Sequence, residues 1–223
     1  MKYSMVVFDM AGTTVFDEDN AVASCLRDAL VAAGCPITLE AVDPVMGMPK
    51  PLAVRELLAQ SRGEAPTDSE VERVHADFQR RIIDHYRTGP SVKEIDGASD
   101  LFSSLRKAGV RVALDTGFDR ATANTIIERL GWGGGLIDDS VTSDEVANGR
   151  PHADMIEVLM QRAGIDDPAQ VVKVGDSISD IEQGLNARCG CVVAIAGRRT
   201  SGAEDRFEGV RVIDHIGRLP EVL

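Results

Sequence analysis

Five short runs of β-forming residues recur along the chain: Met5 to Phe8, Val110 to Leu114, Val171 to Val174, Cys191 to Ile195 and Val210 to Ile213. Most are separated by helical periodicity. Leu101, Leu105 and Ala108 form one apolar stripe that stops at Gly109, and Ile156, Leu159, Met160 and Ala163 form another that stops at Gly164, glycine being the residue that ends helices most easily. Strands lacking a polar face must be covered on both sides. The alternation therefore predicts an α/β fold, a doubly wound, Rossmann-like parallel sheet. In such sheets ligands gather outside the carboxyl ends of the strands. Asp9, Asp115 with Thr116, and Asp176 stand at those ends.

Between the first two runs the segment 15–90 carries helical patterns and no convincing strand, too long for a simple crossover. Val22, Leu26, Ala29, Leu30 and Ala33 recur at helical spacing up to Gly34, and Pro51 suits the first turn of a helix carrying Leu57 and Leu58. Thr67 and Glu70 have capping-box spacing ahead of Val71, Val74, Phe78, Ile82 and Tyr86, which share one helical face. Residues 1–14 and 91–223 are thus expected to form an α/β core domain, with 15–90 inserted as a helical cap domain.

Charge narrows the partners. Thirty-six acidic residues against 24 Lys and Arg leave a net charge of -12, which argues against nucleic acid and against an anionic membrane surface. No stretch approaches the roughly 20 apolar residues of a membrane span, and the opening residues are too short an apolar run for a signal-peptide core, so a cytoplasmic location is expected. Apolar cap faces would serve either packing on the core or a homodimer. Cys25, Cys35, Cys189 and Cys191 lack zinc-site spacing and are expected to be free, buried thiols.

An acidic protein that binds an anion needs a local cation. The turn Ala11-Gly12-Thr13-Thr14 after Asp9 brings backbone close to a bound anion, and a carboxylate there can attack phosphorus or hold a divalent cation; a lone Asp after a strand also serves as an N-cap. In the stretch VGDSISD, Asp176 and Asp180 lie four residues apart, one ending a strand and one at the next helix. With Asp9 on a neighbouring strand, these acids suit a hard ion such as Mg²⁺. Thr116 and Gly117 present a hydroxyl and backbone N–H groups to phosphate oxygens, unless they form a simple turn. Arg150, in Gly149-Arg150-Pro151, is either the needed cation or a solvated surface charge.

These four segments, in this order, resemble the haloacid dehalogenase superfamily of Mg²⁺-dependent phosphohydrolases over nearly the whole chain. DMAGTT, GRP with arginine where a lysine is usual, and KVGDSISD together resemble its phosphonatase (phosphonoacetaldehyde hydrolase) branch. The resemblance implies that Asp9 is nucleophile and metal ligand, Ala11 gives its carbonyl to the metal, and Asp176 and Asp180 supply further carboxylates. It also implies that Thr116 and Gly117 contact the phosphoryl group and Arg150 neutralises charge around it. Met46-Gly47-Met48-Pro49-Lys50 resembles the cap motif that forms a Schiff base with an aldehyde substrate, which gives Lys50 that role and sets Met46 and Gly47 against the substrate.

Ala11 then has a chemical explanation. A phosphate ester expels a basic alkoxide that benefits from a positioned acid. A C–P bond next to an iminium ion breaks without one, because its electrons flow into the iminium. The histidine that the branch carries three residues after its lysine is Ala53 here, and the nearest histidines in sequence are His75 and His85. Three functions are compatible with these residues: a phosphonatase-like hydrolase acting on a small organophosphonate, a phosphate monoester phosphatase with the same core, and a non-catalytic phospho-ligand binding protein.

Overall fold

A computed structural model describes residues 2–17 and 20–223. Strand β1 (Met5–Asp9) is followed by helices α1 (Ala21–Ala32), α2 (Leu39–Val42), α3 (Lys50–Arg62) and α4 (Asp68–Thr88). The remainder alternates: α5 (Ala98–Lys107), β2 (Arg111–Thr116), α6 (Arg120–Arg129), β3 (Asp139–Thr142), α7 (Asp154–Ala163), β4 (Val171–Gly175), α8 (Ile178–Asn186), β5 (Cys191–Ile195), α9 (Ala203–Arg206) and β6 (Arg211–Ile213). The sheet has the order β3-β2-β1-β4-β5-β6 with every pairing parallel. Period-2 alternation assigns its faces. Val6, Phe8, Val112 and Leu114 join the layer that holds α5 and the helices of the insertion, whereas Met5, Val7 and Ala113 pack with Met155, Ile156 and Leu159 of α7.

Four of the predicted strands recur with ends moved by a residue or two. β2 runs on to Thr116, so Asp115 and Thr116 are its last residues rather than its successors. Strand β3 was not predicted: its sequence, DSVT, sits at the sheet edge with its first two residues half-exposed, and it has no apolar run to read. The cysteines are free, but only Cys35 and Cys191 are buried; Cys25 and Cys189 are half-buried.

The insertion leaves and returns side by side. Val15 bridges both Ala11 and Glu94, Phe16 N donates to the Lys93 carbonyl at 3.0 Å, and Ile95 N donates to the Thr14 carbonyl at 2.8 Å. We propose that the helical unit is bounded at this neck, consistent with a cap over 15–90. In α4 the capping box forms in full, Glu70 N donating to Thr67 Oγ1 at 3.3 Å and Thr67 N to Glu70 Oε2 at 2.9 Å. The buried stripe behind it brings the Phe78 and Tyr86 rings to within 6.4 and 5.9 Å of the Phe118 ring. That contact seats the insertion over the loop that follows β2. No helix among the described residues is long and apolar enough to cross a membrane.

Candidate active site

The three central strands deliver the acids. Asp9 and Asp115 are register partners at the ends of β1 and β2, and Asp176 follows β4 on the other side of β1. Asp180 comes from the first turn of α8, where Ser177 caps the helix and receives the Asp180 N–H while the Asp180 carboxylate accepts from Ser177 N at 3.2 Å. Asp9, Asp176 and Asp180 converge: one carboxylate oxygen of each lies within 4.8 Å of those of the others. Asp115 does not join them and is wholly buried beneath.

Two buried cations thread this cluster. The Arg150 guanidinium donates to Asp9 Oδ1 at 2.7 Å and to the Asp115 carbonyl at 2.8 Å, lies 3.0 Å from Asp180 Oδ1, and also binds the Asp115 carboxylate. It is 1 % exposed, so it is no solvated charge. Its donors are largely spent on carboxylates, however, rather than turned into open space. Lys173, in the middle of β4 and fully buried, pairs with Asp115 and lies 3.0 Å from Asp180 Oδ1. Sequence reasoning passed over Lys173, although a lysine inside the apolar run VVKVG was a visible signal, since an unpaired buried ammonium is prohibitively costly. Arg199, from the turn after β5, was passed over as well; its Nη1 donates to Asp176 Oδ2 at 3.0 Å.

Compensation within the cluster is uneven. Burial raises the Asp9 carboxyl to about 7, against the pull of Arg150 and with Asp180 and Asp176 adding repulsion. Burial likewise raises Asp176 to about 6, aided by Asp180 and opposed by Arg199. Burial would raise Asp180 too, but Arg150 and Lys173 hold it below the ordinary carboxylate value. Three converging oxygen donors, two of them short of positive charge, fit a hard divalent cation. Asp9 and Asp176 take up protons more readily in the fold than in the unfolded chain, so the stability they contribute is present below about pH 4 and lost as pH rises through about 6 to 7. The melting-temperature increment produced by Mg²⁺ over EDTA is therefore expected to be larger at about pH 8 than at about pH 5. An increment of zero at both would count against a cation site.

The insertion supplies the remaining wall. Lys50 opens α3 with Pro51 in the same turn, is 3 % exposed, donates from Nζ to the Met48 carbonyl at 3.2 Å and stands 5.3 Å from the Phe118 ring centroid. Burial lowers its ammonium to about 8, with Asp9 opposing the shift and Arg150 assisting it. Close backbone approach makes this possible. A Cβ on Gly117 would sit 2.5 Å from the Met48 carbonyl oxygen, and one on Gly47, at φ +86°, would sit 2.3 Å from Ser177 Oγ, so both positions require glycine. Asp9, Ala11, Met46, Gly47, Lys50, Thr116, Gly117, Arg150 and Asp176 all line one narrow cleft. Thr116 Oγ1 there accepts from Phe118 N at 3.2 Å. Ala53 is fully buried, and His75 stacks on Phe78, which stacks on Phe118, so it is a ring removed from the cleft.

Fold and cluster define a doubly wound α/β protein with a carboxylate-centred site at its switch point. Residues 3–188 match the family model of the haloacid dehalogenase-like hydrolases, and the chain belongs to that family and is a hydrolase. It is 30% identical over 217 residues to a phosphonoacetaldehyde hydrolase of Bacillus cereus (strain AH187), covering 92% of this chain and 80% of that one. Among solved structures, a hydrolase from Pseudomonas syringae superposes with a TM-score of 0.85 at 21% identity, covering 98% of this chain and 99% of that one. A phosphonoacetaldehyde hydrolase-like protein from Oleispira antarctica superposes with a TM-score of 0.83 at 20% identity, covering 100% and 91%.

Proposed function

We propose that this hydrolase is phosphonatase-like and releases phosphate from a small organophosphonate such as phosphonoacetaldehyde, with Asp9 as nucleophile and Lys50 as the imine-forming amine. The observation that carries this is the placement of a buried lysine, its ammonium lowered to about 8, in the same cleft as Asp9, where position 11 offers only a methyl group. At neutral pH about a tenth of such a lysine is the free amine, against well under a thousandth at the ordinary value. The Lys50 amine adds to the aldehyde carbon, and loss of water leaves a protonated iminium. An Asp9 carboxylate oxygen attacks phosphorus. As the C–P bond breaks, its electron pair enters the iminium to give an enamine, which is protonated at carbon and hydrolysed to the free aldehyde and Lys50. Water then cleaves the aspartyl-phosphate, releasing inorganic phosphate and restoring Asp9.

Asp9, Asp176, Asp180 and the Ala11 carbonyl would hold Mg²⁺, which when bound offsets charge on the phosphoryl oxygens. Thr116 and the Gly117 backbone orient the phosphoryl group, while Arg150 aims the Asp9 carboxylate and opposes the rise that burial imposes on it. Lys50→Ala is expected to lower phosphate release from phosphonoacetaldehyde by about 10³-fold or more, and borohydride with that substrate should trap an adduct on Lys50 in increasing yield as pH rises through about 8. Phosphate release unaltered by Lys50→Ala would remove the imine step. One observation favours a monoester phosphatase instead: Ala53 is packed into the apolar core and offers no proton carrier beside Lys50. A panel of phosphate monoesters assayed beside phosphonoacetaldehyde, with and without Mg²⁺, decides between the two.

A further inference from the structure

The space directly over Asp9 is small. The cleft that holds Asp9, Lys50 and Thr116 has room of about 20 Å³, little more than one water. A cavity of about 410 Å³ adjoins it, and Met46, Ser177 and Arg199 line both. If phosphorus is bound at Asp9, as proposed above, this cavity is where the organic part of the substrate finds volume.

Its polar groups are specific about what they would accept. Arg199 spends Nη1 on Asp176, but its Nε is buried with no acceptor among the described residues, the Asp43 carboxylate being 3.8 Å away. Asp43 is already engaged, since both ends of the Arg198 guanidinium bind it. Ser179 lines the same cavity, is 8 % exposed, and its Oγ has no hydrogen-bond partner among the described residues. A guanidinium with an unused donor and a buried hydroxyl without a partner both seek an acceptor, and an unmet buried donor is costly. The two arginines of the cavity are matched in number by Asp43 and Glu182, which leaves no surplus charge for a second phosphate, and the unused Arg199 Nε–H and Ser179 hydroxyl suit a singly charged carboxylate. Pro44, Met46 and Met48 form an apolar stretch of wall fitted to a short hydrocarbon link.

We propose that this cavity is a subsite for the organic part of the substrate and that Arg199 and Ser179 bind a carboxylate on it, so that the preferred substrates are small phosphonates or phosphates carrying one carboxylate. Phosphonoacetaldehyde, which lacks that group, is then a poorer substrate than a carboxylated relative.

Calorimetric titration of the Mg²⁺-loaded enzyme with phosphonoacetate and with propylphosphonate tests this. Phosphonoacetate is expected to bind about ten-fold or more tighter, the scale of one charge-assisted hydrogen bond. Arg199→Met should abolish that preference, read as the ratio of the two affinities in one preparation because Arg199 also pairs with Asp176, Arg199→Lys should keep part of it, and Ser179→Ala should reduce it by a few-fold. Equal affinity for the two ligands, a preference retained in Arg199→Met, or binding of neither phosphonate overturns the subsite. Inorganic phosphate titrated alongside separates the two proposals. Phosphate that binds without any carboxylate preference overturns the subsite alone, whereas phosphate that does not bind overturns the assignment of phosphorus to Asp9 as well.

Discussion

Asp9→Asn is expected to lower phosphate release by about 10³-fold or more on every substrate the enzyme accepts, while the melting temperature stays level or rises. The amide has nearly the shape of the carboxylate and retains an oxygen to accept from Arg150 Nη1, so the site stays assembled. What it loses is the nucleophile. The stability prediction follows from the carboxyl's position: burial and the neighbouring acids raise it to about 7, so the ionised form is a liability in the fold and a neutral isostere relieves it. Steady-state phosphate release and thermal melting of the same preparation check both halves. A variant as fast as the parent would take Asp9 out of the chemistry.

Arg150→Met is expected to cost about 3–5 kcal/mol of stability, the scale of stranding a buried ion-pair partner. Arg150 faces Asp9, Asp115 and Asp180 together, and all four side chains are nearly or wholly inaccessible. Removing its charge leaves three buried carboxylates to Lys173 alone. By contrast Arg198→Ala, at a pair whose arginine side chain is 62% exposed, should change stability by only about 0–1 kcal/mol. Urea denaturation midpoints for the two variants measure the difference, and an Arg150→Met loss no larger than that of Arg198→Ala would mean the buried network is not what holds the strand ends together.

The proposed chemistry divides along the same line between surface and interior. Asp9, Asp176 and Asp180 could be picked out because each falls at a strand end or helix start whose apolar run announces it. Lys50 could be picked out only through the resemblance of Met46-Gly47-Met48-Pro49-Lys50 to the Schiff-base cap motif. Lys173 was marked only by the apolar run VVKVG around it, and Arg199 carried no local mark. That run implies burial for the lysine but not its partner, and an arginine in a turn reads as a solvated charge; the partners, Asp115 and Asp176, are 58 and 23 residues away. Strand β3 escaped notice for a related reason: at the sheet edge its residues need not be apolar, so they leave no periodic trace.

Local patterning by itself determined the layer order of this protein. Near-continuous apolar runs can be satisfied only by a sheet covered on both faces, helical stripes only by packing on it, and an acid at or just past the end of each central strand only by a shared mouth at one edge of that sheet. Only tertiary structure decided which charges neutralise which, how far Lys50 is dried by Phe118 and the Met46–Met48 segment, and where the neighbouring cavity opens beside Arg199. Electrostatic partnership and desolvation depend on distances of a few ångströms between segments remote in the chain, and no spacing along a single strand of sequence encodes such distances.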